Sequence, residues 1–444
     1  MAKKIIMISS SVICIALIIF ACSKTVLFRT ADSLLSPPLY NSEYEGLVNA
    51  FNEKTGLGVT FVNPSSGDNI SAINVTDLDG DGKEEAVIFY RDSNEDNAAR
   101  MSVYDFFGNK WNFRVDFVGH GDRVDSVLFE DFNKDGYVEI MISWSYSGIS
   151  NASSFSVYST KSMNMTYEEV FTSACDVVSA EDMNGDSVKE ILYVSSENDG
   201  VTVSRKAVLL GMGENEFETM GEAPVDPNIT GYVSCKAEKT NEHYPMKIYL
   251  DAPKGAGMMI TEILYWDAEI SKLIAPLYDE EAGANTASLR YENILSADIN
   301  NDGQIEIPVQ SVYENNDSGA QKEFYVTDWV YFDSSSPAYY VRTFVNVADG
   351  YFINLGSIDN KNLYVRELSS ASRSSWIVCS ASSDKVGGKV LFTVFGVPAG
   401  KYDESRYSSY VKITQSSDKV ICVSLDSDGI DEETIKKIVV KMPS

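Results

Sequence analysis

Apolar positions along this chain gather into short runs bounded by turn residues, the spacing of strands rather than of long helices. The stretch after residue 70 shows the unit: SAINVTD (71–77), EAVIFY (85–90), MSVYDFF (101–107) and WNFRVDF (111–117), rich in β-branched and aromatic residues. Gly108-Asn109 turns the chain between the last two runs, because tight hairpin loops need backbone angles that Gly and Asn tolerate. Four similar runs recur as GYVSCKAEKT (231–240), PMKIYLDA (245–252), MITEILYWDA (259–268) and ISKLIAPL (270–277). From about residue 340 the runs continue as YFINL, LYVRE, SWIVCS, VLFTVFGV, YVKITQ and KVICVSL. Two stretches have helical character instead. Ser42 and Glu45 form a capping box, Tyr44, Leu47, Val48 and Phe51 share one face, and Gly56 stops the helix. Near the end, Asp431 caps a terminal helix through Ile435, Ile438 and Val439. The prediction is an all-β chain of four-stranded units with short N- and C-terminal helices.

Between such runs one polar pattern returns four times. Asp77-Leu78-Asp79-Gly80-Asp81-Gly82-Lys83-Glu84-Glu85 comes first, and Asp131-Phe132-Asn133-Lys134-Asp135-Gly136-Tyr137-Val138-Glu139 second. The third is Asp182-Met183-Asn184-Gly185-Asp186-Ser187-Val188-Lys189-Glu190, and the fourth Asp298-Ile299-Asn300-Asn301-Asp302-Gly303-Gln304-Ile305-Glu306. Side-chain oxygens at positions 1, 3 and 5 of a tight turn converge, position 7 offers a carbonyl, and the acid at position 9 closes the shell. Several oxygens at flexible distances suit Ca²⁺ better than Mg²⁺. An EF-hand shares the first half of this pattern but needs Glu at position 12 and flanking helices. Position 12 is Ile88, Ile142, Tyr193 or Val309, and the flanks are strand-like. A solvated acidic turn without metal is the plain alternative for any single copy.

The leading aspartates lie 54, 51 and 116 residues apart, and the last interval spans the loop-free runs at 231–277. Counting that silent unit, the period is about 55 residues, within the range of propeller repeats. Residues 42–444 would then hold about seven units. Four antiparallel strands repeated radially describe a β-propeller blade. The alternative is a partial propeller over 42–340 followed by a separate C-terminal β region at 341–444. The turn-plus-strand unit resembles the FG-GAP or VCBS-type repeat of integrin α propellers and of many bacterial surface proteins. The resemblance implies up to four structural Ca²⁺ ions. Carried over position by position, it implies as ligands Asp77, Asp79, Asp81, Glu85 and the carbonyl of Lys83, then Asp131, Asn133, Asp135, Glu139 and that of Tyr137. The later copies would supply Asp182, Asn184, Asp186, Glu190 and the carbonyl of Val188, then Asp298, Asn300, Asp302, Glu306 and that of Gln304.

At the N-terminus, Lys3 and Lys4 precede an apolar stretch from Ile5 to Ala21, broken only by Ser9, Ser10 and Ser11. Its 17 residues fit a signal-peptide core better than a span of a ~30 Å hydrocarbon layer. It ends Ile19-Phe20-Ala21-Cys22, which resembles the lipobox of bacterial lipoproteins, although Phe20 replaces the small residue usual there. The reading is a signal peptide over 1–21, acylation of Cys22, and a lipid-anchored linker over 22–41 with Pro37-Pro38. An uncleaved N-terminal anchor is the alternative. In either case the remainder is tethered to the cell membrane on its extracytoplasmic face. Cys14 leaves with the signal. Cys175, Cys235, Cys379 and Cys422 lie far apart in apolar runs with no metal-type spacing, which favours buried thiols, with one or two disulfides as the alternative.

Charge narrows the function classes. The net charge is -29 with a pI near 4.4, and removing 1–21 leaves 34 basic against 65 acidic side chains. Such a surface repels phosphate backbones and anionic headgroups, so no nucleic-acid partner is expected. The only histidines, His120 and His243, sit in different units, and no HExxH, GxSxG, P-loop or GxGxxG motif occurs. The expectation is a calcium-stiffened binding or adhesion module contacting glycan or an envelope protein, without catalysis. A carbohydrate-active lyase or glycosidase on the same scaffold, or a purely structural envelope protein, is the alternative.

Overall fold

A computed structural model describes residues 42–443, apart from 57, 94–96, 149–152, 161–165, 199, 214–215, 239–245, 292, 314–323, 334–335, 359–362, 371–372, 381–388 and 427–429. The signal segment, Cys22, the linker and His243 lie outside the described residues, as does the side chain of Ser42. No described helix is long and apolar enough to cross a membrane.

The chain divides into two compact units. Of the described residues, the smaller joins 42–56 to Tyr104–Phe113. Its helix α1 (Ser42–Thr55) buries Leu47 and Phe51, one turn apart, as the periodicity requires. Phe51 meets Tyr104 edge-on at 6.4 Å between centroids, Tyr104 meets Phe113 at 5.7 Å, and Lys54 lies over the Phe113 ring. Gly56, at φ +76°, ends the helix with its amide on the Asn52 carbonyl.

The larger unit, Gly58–Val103 with Arg114–Ser444, holds consecutive antiparallel sheets, except for the Tyr104–Phe113 part of the first. The first comprises β1 (Val59–Phe61), β2 (Ile73–Thr76), β3 (Glu85–Asp92), β4 (Ala99–Phe107) and β5 (Lys110–Val118), with β1 and β2 both on β3. The second runs β6 (Arg123–Glu130), β7 (Glu139–Ser145), β8 (Ser153–Thr160) and β9 (Tyr167–Cys175). In the third, β10 (Val177–Glu181), β11 (Glu190–Asn198), β12 (Val203–Met212) and β13 (Phe217–Pro224) follow in order. The fourth is the loop-free unit: β14 (Ser234–Ala237), β15 (Lys247–Pro253), β16 (Met259–Asp267) and β17 (Lys272–Ile274). A small ribbon of β18 (Tyr278–Asp279) and β19 (Ala284–Asn285) precedes the fifth sheet, β20 (Ile307–Tyr313), β21 (Phe324–Asp333), β22 (Ser336–Asn346) and β23 (Tyr351–Asn354). The sixth orders β24 (Leu363–Ser370), β25 (Arg373–Ser380), β26 (Lys389–Pro398), β28 (Lys419–Leu425) and β27 (Val411–Gln415). Helix α2 (Glu432–Ile438), capped by the Asp431 side chain on the Thr434 amide, then leads to β29 (Val439–Lys441), which pairs with β23.

Six sheets of four or five strands therefore stand among the described residues, against an expectation of about seven units. The strands around 341 explain the difference. Residue 341 lies inside β22, and β29 returns to widen the same fifth sheet, so the C-terminal strands are spent on two sheets. Each sheet shares a core with the next. Val87, Phe89 and Met101 meet Ile140, Ile142 and Trp144; Phe132 and Phe155 meet Ile191 and Val208; Leu192 and Leu209 meet Ile248 and Leu264. Tyr249 and Ile263 meet Ile307, and Phe344 and Ile353 meet Val378 and Phe392. Middle strands are covered on both faces, so they read as unbroken apolar runs. β3 is buried from Glu85 to Tyr90, whereas β13, last in its sheet, is mostly half-exposed or exposed.

Candidate metal centres

All four acidic turns close in one register. The residue before each leading Asp pairs with the ninth-position Glu: Thr76 with Glu85, Glu130 with Glu139, Glu181 with Glu190, and Ala297 with Glu306. Strands flank the first three, and the isolated Ala297–Glu306 bridge just before β20 closes the fourth, so among the described residues no helix adjoins any of them. The chain bends by left-handed residues at positions 4 and 6 of every copy: Gly80 and Gly82, Lys134 and Gly136, Gly185 and Ser187, Asn301 and Gly303.

The side chains repeat as faithfully as the backbone. Each leading carboxylate accepts from the sixth-position amide, Asp77 from Gly82 at 2.9 Å, Asp131 from Gly136 at 2.9 Å, Asp182 from Ser187 at 2.9 Å and Asp298 from Gly303 at 2.8 Å. Asp81, Asp135, Asp186 and Asp302 accept from the amides of Lys83, Tyr137, Val188 and Gln304, the residues expected to offer carbonyls. Every closing Glu is buried and turns Oε2 to the second-position amide: Leu78 at 2.8 Å, Phe132 at 3.0 Å, Met183 at 2.9 Å and Ile299 at 3.0 Å. Burial, reinforced by the neighbouring aspartates, pushes all four glutamates up to about 7.

The other oxygen of the closing Glu separates the copies. Glu139 Oε1 accepts from Ser159 Oγ at 2.8 Å. Glu190 Oε1 accepts from the Asn184 amide at 2.6 Å, and Glu306 Oε1 from the Asn300 amide at 3.2 Å. The same asparagines, with Asn133, also donate to Asp186, Asp302 and Asp135. In the first copy position 3 is Asp79, a carboxylate with no proton to give. Glu85 is 3% exposed, and among the described residues its Oε1 has no hydrogen-bond donor. Asp77, Asp79 and Glu85 each bring an oxygen within 4.8 Å of the other two, the only such trio of acids or other metal ligands among the described residues. Oxygens on opposite sides of a Ca²⁺ ion, each at 2.3–2.6 Å, lie about 5 Å apart. An all-oxygen donor set, that spacing and a carboxylate oxygen left open by the turn fit a hard divalent cation.

The fourth sheet shows what sequence reading missed. Lys247 enters β15 at the register position of the closing glutamates, opposite Glu238, whose amide donates to the Lys247 carbonyl at 2.9 Å. Both side chains are buried and joined at 3.1 Å, and Tyr249 Oη donates to Glu238 Oε2 at 2.6 Å. Deeper in this sheet, Arg290 pairs with Asp251 at 2.8 Å, both fully buried, and Thr261 and Ser296 hydroxyls also donate to Asp251. Asp226 receives Lys254 and the Asn285 amide, while Glu262 receives the Asp226 amide at 2.9 Å. The signal was present as charges inside apolar runs: Lys247 and Asp251 in PMKIYLDA, and Glu262 in MITEILYWDA. Of the remaining candidates, His120 is partly exposed and contacts Glu169 at 2.9 Å. Cys175, Cys379 and Cys422 are buried, and Cys175 and Cys235 are thiols.

No protein-family model and no curated protein matches the chain. Among solved structures, an exo-β-1,3-galactanase from Clostridium thermocellum is 10% identical over 84% of this chain and 88% of its own, with a TM-score of 0.27. The exo-β-1,3-galactanase of Phanerochaete chrysosporium, bound to galactose, is 11% identical over 87% and 92%, at 0.25. A mannose phosphorylase from Leishmania mexicana is 12% identical over 58% and 82%, at 0.26. Likenesses this slight argue nothing about this chain's fold or activity.

Proposed function

We propose that this chain is a calcium-stabilised β-propeller of the FG-GAP or VCBS type, held outside a bacterial membrane by lipid on Cys22 and serving as a binding module for glycan or an envelope protein. The observation that carries the calcium reading is the first loop, where Asp77, Asp79 and Glu85 converge and Glu85 Oε1 lacks a donor. A bound Ca²⁺ supplies the missing positive charge and holds Glu85 ionised. The residues' own task is to hold the backbone of the turn so that oxygens face one point. Asp131, Asn133, Asp135, Glu139, Asp182, Asn184, Asp186, Glu190, Asp298, Asn300, Asp302 and Glu306 would hold further ions on the same plan. Their asparagine amides partly neutralise the acids, so weaker binding than in the first loop is expected.

The propeller reading rests on each sheet sharing its core with the next in chain order. Support for a glycan ligand is the Tyr291 ring, half-exposed and stacked on Tyr325 at 5.0 Å and 18°, a flat apolar face for a sugar ring. Four measurements test the reading. Calorimetric titration of the full chain with CaCl₂ should show binding in the 10⁻⁴–10⁻³ M range, and the melting temperature should fall with chelator. The absence of both responses would sink it. Cys22→Ser should move the protein out of the membrane fraction. A glycan array should lose signal with Tyr291→Ala and show no turnover.

A further inference from the structure

The first and second acidic loops meet through their backbones, the only pair of these loops to do so among the described residues. The Val138 amide, eighth in the second loop, donates to the carbonyl of Leu78, second in the first loop, at 2.8 Å. The amide of Leu78 is held by Glu85, and Val138 precedes Glu139, which holds the Phe132 amide. An unbroken run of peptide units and hydrogen bonds thus joins one closing glutamate to the other. Beside it, a Cβ placed on Gly80 would lie 2.9 Å from the Gly136 carbonyl oxygen. The fourth position of one loop and the sixth of the other therefore touch with no room for a side chain. Among the described residues the third loop is tied to the second by side-chain hydrogen bonds and ion pairs, Lys134 to the Asp186 carbonyl at 3.0 Å and Lys189 to Glu130 at 2.8 Å. The fourth loop lies beyond the loop-free sheet, where its Ile305 amide reaches Glu238 at 3.3 Å.

We propose that the first two loops take up calcium as a coupled pair, filling of either one tightening the other, while the fourth fills on its own. This rests on the calcium reading above. Drawing Asp77, Asp79 and Glu85 onto one ion fixes Glu85, hence the Leu78 peptide, hence Val138 and the backbone that carries Glu139. The ordering cost of the second loop is then partly met before its own ion arrives, which is the condition for positive cooperativity.

Hydrogen–deuterium exchange of the full chain, read by mass spectrometry across a CaCl₂ titration, resolves the loops separately. Peptides over 77–86 and 131–140 should gain protection at the same free calcium, and the peptide over 298–307 at its own. Asp135→Asn, whose hydrogen bonds stay within the second loop, should raise the first loop's midpoint about fivefold or more. Asp79→Asn should raise the second loop's midpoint by the same factor, since coupling is reciprocal, and it tests the idea should Asp135→Asn fail to fold. Asp302→Asn should move neither. A first-loop midpoint within twofold of the parent, with the second loop shown to be weakened, overturns the coupling alone. No calcium-dependent protection in any loop overturns the metal reading itself.

Discussion

The first acidic loop and the corresponding corner of the fourth sheet stand in the same register and meet the same demand in opposite ways. In one, Glu85 enters β3 with Asp77 and Asp79 close by, and among the described residues no cation forms an ion pair with any of the three. In the other, Lys247 enters β15 and its ammonium pairs with buried Glu238. Lys83 does reach Asp81 in the first loop, but that pair is exposed and worth little. One corner thus asks solution for its counter-charge and the other carries its own. Glu262, in the same fourth sheet, takes a third course: burial pushes it up to about 7, so that it holds a proton at mildly acidic pH. What recurs across the repeats is the need to balance a buried charge, not one residue type.

The largest effect should come from breaking the encoded pair. Lys247→Met strands Glu238 in the interior and should cost about 3–5 kcal/mol, measured by denaturant unfolding, with no recovery on adding calcium. A loss under about 1 kcal/mol would mean that the ammonium does not fill the role assigned to it. Next in size is pH. Glu262 is fully buried, faces the Asp226 amide and the Asn285 side chain, and lies near the Asp226–Lys254 pair. Its folded value lies above its unfolded one of about 4.5, so the folded state binds the extra proton between the two. Its contribution is therefore fully present below about 4.5, declines as pH rises to about 7, and is constant above that, a fall of roughly 3 kcal/mol. Glu262→Gln should flatten that part of the stability–pH curve at fixed calcium; an unchanged slope refutes the assignment.

Smaller effects sharpen the contrast from the other corner. At about 1 mM calcium each filled loop should add about 0.4–1.4 kcal/mol. Glu85→Gln should remove one such increment while leaving the calcium-free protein at least as stable as its parent, since a strained carboxylate has gone. If the variant keeps the full calcium response, the first loop is not a site. Smallest of all, Ser187 sits at φ +67° where the other copies place glycine. Ser187→Gly should relieve roughly 1 kcal/mol of left-handed strain, visible as a modest rise in melting temperature, and should not alter the first loop's calcium response.

Much of this was legible beforehand. The four acidic turns, the strands beside the first three and the strand runs of the loop-free unit at 231–277 stand where the repeat placed them, because each turn or strand is written within a dozen residues. Asx-type bonds from Asp77 to Gly80 and Gly82 need no distant partner. The Asp431 cap and the buried Ile435 and Ile438 are equally local. Lys247 escaped notice because its meaning depends on register across from Glu238, and Arg290 because its partner Asp251 lies 39 residues away. Six sheets stand among the described residues, against about seven units from the period, and β29 crosses back to β23, a pairing that no period along the chain records.

By itself the sequence determined where strands and acidic turns form, since alternation, turn residues and short-range side-chain-to-backbone bonds act over a few positions. Only the tertiary structure decided how closely the carboxylates of each turn gather, which two turns touch, and which charges lose water. Those outcomes depend on sheets laid against one another from distant parts of the chain, and the dielectric around a carboxylate is set by everything packed over it.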